Sequence, residues 1–265
     1  MKLLIFWDIY WRIWRKAFAK EIGELREKYS PDFVIVNVDN ATSGKWITWK
    51  HALFFENLWV DLMTSWDHFF DNLKDLKDYL SKEDSKLIRP ANLYDKNFIW
   101  SGYKILQKNW KKLLVIHILD EIFMPHKVNN PFLVAKEIIE KFENKVDWVI
   151  IDFHKEVSSS IYGLAYFLEN KASFIFGTHT HIQSNDDMIF NFWTWIINDV
   201  WMVGPLYSVI WAKYNSVKDR FLTWINKWKI EQSLEKDYVV SWVFVEIEDW
   251  KTKNIEKIRK IGKLD

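Results

Sequence analysis

Val146 to His181 reads VDWVIIDFHKEVSSSIYGLAYFLENKASFIFGTHTH, and the fold class can be read from this stretch. Val146–Asp152 is a strongly apolar run and predicts a central strand, which runs into Phe153-His154. Ser160–Leu168 predicts a short helix. Ala172–Phe176 predicts a second apolar strand, ending in Gly177-Thr178-His179-Thr180-His181. Strand, helix and strand in succession argue for an α/β protein.

The same alternation extends towards the N-terminus. Leu3–Phe6 predicts a first strand and Lys16–Lys28 a helix; Phe33–Val38 is a β-branched strand ending in Asp39-Asn40. Helix Lys50–Leu58 precedes the strand Val60–Thr64, which leads to Asp67-His68, and helix Asn72–Leu80 precedes a turn at Arg89–Asn92. Tyr103–Leu119 reads as a hairpin about the polar turn Lys108–Lys112, and Pro131–Phe142 as a helix with proline in its first turn. Beyond His181, Met188–Phe190, Thr194–Asn198 and Tyr238–Ile247 predict strands of a second sheet, with a helix near Ser216–Ile225. There is no internal repeat, low-complexity segment or linker, so a single domain over 1–265 is expected.

With 265 residues, 49% of them hydrophobic, the chain can bury one sizeable core. Its 37 basic and 36 acidic residues leave a net charge of +1, which recruits neither a long polyanion nor a membrane surface. The basic clusters Lys104–Lys112 and Lys251–Lys263 read as solvated surface. The absence of cysteine excludes disulfides, thiol catalysis and cysteine-held clusters. The opening KLLIF run is too short for a signal peptide and no run of membrane-spanning length follows, so a cytoplasmic protein is expected.

Five apolar runs end in metal-capable side chains: Asp8, Asp39 with Asn40, Asp67 with His68, His154, and His179 with His181. In open α/β sheets the crevice lies beyond the carboxyl ends of the strands, so residues distant in sequence converge there. Singly, several have an ordinary reading: a helix cap for Asp8, a core histidine for His154, polar residues facing solvent for His179 and His181. Together they point to metal. Mixed oxygen and imidazole donors suit Mn, Fe or Zn better than Ca or Mg, and their number suits two ions better than one. His51 and His126 read as structural or exposed, whereas His117, inside a strand, is a candidate for the layer behind the ligands.

Asp8, Asp39-Asn40-Ala41, Asp67-His68, Asp152-Phe153-His154 and GTHTH at Gly177–His181, in this order, resemble the calcineurin-like metallophosphoesterase superfamily. RPAN at Arg89–Asn92, FMP at Phe123–Pro125, NPF at Asn130–Phe132 and DVWMVGP at Asp199–Pro205 make the chain similar to its bacterial YmdB-like branch. The resemblance spans nearly the whole chain. It implies a four-layer α/β/β/α sandwich and a dinuclear phosphodiesterase that hydrolyses small phosphodiesters, 2′,3′-cyclic nucleotides above all, by attack of a metal-bridging hydroxide. It further implies that Asp8, Asn40 and His181 hold one ion, that Asp67, His154 and His179 hold the other, that Asp39 bridges them, and that His68 acts as proton donor or transition-state stabiliser. Fe or Mn is the implied metal, with Zn as an alternative, and a homodimer or homotetramer is the implied assembly. RPAN and Asp199–Tyr207 are candidate pocket linings. Two departures stand out: Asp39 replaces a family glutamate and Asp67 a family asparagine. The alternatives are a phosphomonoesterase or protein phosphatase, and a metal-binding regulatory scaffold.

Tryptophan occurs 18 times and glycine only 7 times, the reverse of ordinary usage. Trp7, Trp11 and Trp14 occupy the family's glycine places around Asp8. Trp46, Trp66, Trp100, Trp110, Trp201, Trp211, Trp228 and Trp250 also stand where a turn glycine is natural. UGA codons that mean glycine, translated as tryptophan, give this pattern. The tryptophans are therefore not read as a base-stacking platform.

Overall fold

A computed structural model describes residues 1–6, 9–42, 47–65, 73–94, 100–200, 202–225, 229–249 and 251–265. The chain begins with β1 (Lys2–Phe6), α1 (Trp11–Tyr29), β2 (Phe33–Asn37), α2 (Trp49–Asn57), β3 (Leu62–Thr64), α3 (Leu73–Leu80) and β4 (Leu87–Ile88). These four strands pair in parallel, with Ile5 opposite Ile35, Val36 opposite Met63 and Thr64 opposite Ile88. Their carboxyl ends therefore share one edge.

A hairpin of β5 (Tyr103–Lys108) and β6 (Lys111–Leu119) opens the second sheet. It continues through α4 (Pro131–Lys141), β7 (Trp148–His154), α5 (Ser158–Phe167), β8 (Phe174–Thr178), β9 (Met188–Ile189) and β10 (Trp195–Ile197). Strands β6, β7, β8 and β10 are parallel. The NPF stretch starts α4 as its sequence suggests: the Asn130 side chain accepts from the Phe132 and Leu133 amides, and Pro131 occupies the first turn.

The last third departs from expectation. After β11 (Val203–Pro205) and α6 (Tyr214–Thr223), β12 (Asp237–Glu248) joins the first sheet, not the second. It runs antiparallel to β1, with Leu4 opposite Phe244, and to β11, with Gly204 opposite Val239. Its near-continuous apolar run suits an interior strand covered on both faces. The basic stretch read as solvated surface is β13 (Lys251–Lys263), an edge strand along β12. Its charges obscure the period-2 signal, and they suit an edge that must not recruit further strands. Lys260 binds Glu21 and Glu24 of α1 at 2.6 and 2.9 Å, and Lys257 binds Asp187 at 2.5 Å.

Alternation along β6 shows the layering. Leu113, Val115 and Leu119 share a core with Val34 and Val36 of the facing sheet and with Trp14, Ala17 and Phe18 of α1. Leu114, Ile116 and Ile118 pack instead with Ala135 and Ile139 of α4 and Ile161 and Leu164 of α5. The expected α/β/β/α sandwich is what the chain forms. Among the described residues no helix is long and apolar enough to cross a membrane.

Candidate metal centre

Residues at the strand ends inherit their direction from the pleat. Asp152, His154 and Thr178 have the parity of Ile150, Phe174 and Phe176, which face the inter-sheet core, so these polar groups sit at the carboxyl end of that layer. His117 pairs with Asp152 in register, and His154 with Thr178. The His117 Nδ1 and Asp152 Oδ2 atoms are 3.0 Å apart, with both side chains fully buried. Burial pushes the Asp152 carboxyl up, against the pull of His117 and of hydroxyl hydrogen bonds from Thr64 and Thr178. Thr64 belongs to β3 and accepts at 3.1 Å from Asn37 of β2, so Asn37, Thr64 and Asp152 tie the carboxyl ends of the two sheets together. His117 thus lies behind the candidate ligands, as its strand position suggested.

His154 and His179 meet. The Thr178 hydroxyl donates its one proton to Asp152 Oδ1 at 3.4 Å and therefore accepts from His154 Nδ1 at 3.3 Å. That assigns the His154 proton to Nδ1 and leaves a lone pair on Nε2. His179 Nε2 lies 2.8 Å from the Glu156 carboxylate and donates to it, which leaves a lone pair on Nδ1. These two acceptor nitrogens face each other at 3.1 Å. Burial, and then the neighbouring His179, drives the His154 pKa far below the ordinary imidazole value. Two imidazoles on one ion, each about 2.0–2.1 Å from it, have nitrogens roughly 3 Å apart. The residues present fit a metal.

The remaining candidates are distributed as follows. Asp39 is fully buried and Asn40 nearly so, in the turn that leaves β2. The Asp39 amide donates to Asn37 Oδ1 at 3.1 Å, and the Trp11 amide donates to the Asn40 carbonyl at 3.2 Å, which docks the start of α1 on this turn. His181 is half-buried, close enough to His154 to act on its charge. Asp8, Asp67 and His68 lie outside the described residues. Among the described residues no three His, Asp or Glu side chains form a set that could hold one ion.

Some of the machinery has roles that the sequence did not assign. Glu156 and Thr178 orient the two histidines, and Asp199, at 1% exposure, binds the loop that carries His179 and His181. Gly177 is required by close approach: a Cβ there would stand 1.9 Å from the Asn198 carbonyl oxygen. The RPAN turn is mainly a brace. Asn92 is fully buried, donates to the carbonyls of Leu119 and Asn129 at 2.8 and 2.9 Å, and accepts from the Leu119 amide at 3.0 Å. His51 bonds Thr42 and Thr48 through Nδ1, a structural role as expected.

Comparison with known proteins agrees with this geometry. The profile of the YmdB-like protein family matches residues 4–261. The chain is 31% identical over 263 residues to the 2′,3′-cyclic-nucleotide 2′-phosphodiesterase of Bacillus subtilis, covering 98% of this chain and 96% of that one. Among solved structures, a novel phosphatase from Mycoplasma pneumoniae superposes with a TM-score of 0.89 at 31% identity, covering 99% of this chain and 94% of that one. A hypothetical protein from Thermus thermophilus also gives 0.89, at 25% identity and with 98% and 99% covered. Two facing sheets, histidines gathered at the carboxyl end of the second and a family match along nearly the whole chain lead to one conclusion: this protein belongs to the YmdB-like family of calcineurin-like metallophosphoesterases and is a metal-dependent phosphoester hydrolase.

Proposed function

We propose that the protein is a phosphodiesterase acting on small phosphodiesters, 2′,3′-cyclic nucleotides above all, with two ions at the strand ends. The observation that carries this reading is the approach of His154 Nε2 and His179 Nδ1 to 3.1 Å, with each ring's other nitrogen engaged by Thr178 and Glu156. In this reading His154, His179 and Asp67 hold one ion, Asp8, Asn40 and His181 the other, and Asp39 lies between. Bound there, the ions would supply charge neutralisation for the phosphoryl oxygens and an activated water. Glu156 and Thr178 keep the proton off the ligating nitrogen of each imidazole. His68 delivers a proton to the leaving oxygen, a task suited to a near-neutral imidazole.

The substrate reading is supported by the likeness to the Bacillus subtilis enzyme. Asp67 in place of a neutral amide adds an anionic donor, which favours tighter metal binding and weaker polarisation of substrate. Fe or Mn as the metal and a homodimer or homotetramer follow the family resemblance, and a single domain and a cytoplasmic setting follow the reading of the sequence; together they complete the proposal. The test is hydrolysis of 2′,3′-cyclic AMP by protein loaded anaerobically with Fe²⁺ or Mn²⁺. Turnover that falls more than metal content in His68→Ala is the expected result. Hydrolysis of phosphomonoesters alone would refute the diesterase reading, and metal binding without any turnover would leave a scaffold.

A further inference from the structure

The geometry points to Asp199 as a positioning residue that holds the histidine loop in a strained, ligand-ready conformation, an inference that rests on the metal-centre reading above. His179 has φ 128° and His181 φ 59°, both in the left-handed half of backbone space, where a residue with a side chain costs free energy. Such conformations persist only where the surroundings over-determine them. Asp199 does so from the start of the next segment. Its Oδ2 accepts from the Thr180 amide at 2.7 Å and from the Thr180 hydroxyl at 2.9 Å, so the residue between the two histidines is held at two points. Its main chain grips the far end of the loop: the carbonyl accepts from the Ser184 amide at 3.0 Å, and the amide donates to the Ser184 hydroxyl at 2.9 Å. One residue later, the Val200 amide donates to the Gly177 carbonyl at 3.3 Å and closes the near end. At 1% exposure, Asp199 makes these bonds out of reach of water, where they are strongest.

The test compares wild type with Asp199→Ala and Thr180→Val, using Mn²⁺ affinity by chelator competition and amide exchange of the metal-free protein over residues 178–185. In Asp199→Ala, both exchange protection and Mn²⁺ affinity are expected to fall by roughly 10- to 100-fold. Thr180→Val, which keeps the backbone bond, should lose less. Unchanged Mn²⁺ affinity beside a lower melting temperature would make Asp199 merely structural and overturn the assignment. If wild type itself binds no Mn²⁺, the metal-centre reading fails separately. The clamp is then judged by exchange alone, and unaltered protection in Asp199→Ala overturns it.

A different observation carries a second inference. Thirteen described residues other than glycine have φ in the left-handed region, and four of them are tryptophan: Trp11, Trp59, Trp193 and Trp224. None of the six described glycines uses that region. Trp59 follows the end of α2 with its amide on Glu56, and Trp224 ends α6 with its amide on Arg220, the positions where helices commonly take glycine. Trp193 turns the chain between β9 and β10. Trp59, Trp193 and Trp224 are 72%, 46% and 90% exposed, so little packing would favour an indole there. We infer that glycine stands at these four positions in the protein made by its source cell, through UGA codons read as glycine. Trp14, Trp100, Trp110 and Trp211 have no such φ, so for them glycine rests on the family pattern alone. UGA at codons 11, 59, 193 and 224 is expected, and UGG would overturn the inference. In the chain as written, Trp59→Gly and Trp224→Gly should each raise the melting temperature by about 2–4 °C. A fall at both sites would remove the conformational argument.

Discussion

Replacing Glu156 by alanine should weaken metal binding without dismantling the fold. The carboxylate lies 2.8 Å from His179 Nε2 and holds the ring so that Nδ1 faces His154. A hydrogen bond to a charged partner contributes about 1.5–3 kcal/mol. Here the side chains are 48% and 33% exposed, so solvent screening reduces this to about 1–2 kcal/mol. At about 1.4 kcal/mol per tenfold, the Mn²⁺ dissociation constant should rise roughly 5- to 30-fold. Glu156→Gln keeps an acceptor but loses the charge, and should fall between. The assay is Mn²⁺ competition against a fluorescent chelator, with the metal-free melting temperature as control. Equal affinities for wild type and Glu156→Ala would refute the orienting role. So would a lower metal-free melting temperature with no change in affinity.

Three further outcomes follow from packing and charge. Gly177→Ala places a methyl 1.9 Å from the Asn198 oxygen and 2.8 Å from Lys155 Cε, so urea unfolding should show a loss of about 3 kcal/mol or more. A near-neutral result would mean that β8 and β10 can separate freely. Asn92→Ala removes two buried hydrogen bonds and one part-buried one at the end of β6 and should cost about 2–4 kcal/mol by the same measurement. His51 supplies the pH dependence: burial, then Arg15 and Lys50, lower its pKa from 6.5 to about 4. The unfolded ring therefore binds a proton that the folded ring refuses, so this contribution is complete above pH 6.5 and drains as pH falls towards 4. For a half-exposed ring the screened effect is about 1 kcal/mol, and His51→Gln should flatten the acid limb of a melting-temperature profile by that amount. An unchanged limb would exclude His51.

The sequence by itself determined the α/β class and the strand ends, and the layer order followed from the family resemblance. Apolar runs such as Val146–Asp152 and Ala172–Phe176 predict interior strands, and whatever follows a parallel strand is delivered to a common edge. Identity and order of the polar residues at those ends made His154 and His179 candidates, and the structure brings the two rings to 3.1 Å. Tertiary structure decided the rest because pairing partners and hydrogen-bond directions have no local signature. β12 looks like a strand of the second sheet until its register with β1 is seen, and β13 hides its period beneath lysines. Nothing in the sequence assigns roles to Glu156, Thr178 or Asp199, although Thr178 and Asp199 lie within the family motifs. They acquire their roles through space: a carboxylate and a hydroxyl that set imidazole tautomers, and a buried acid that holds a loop the backbone alone would not keep.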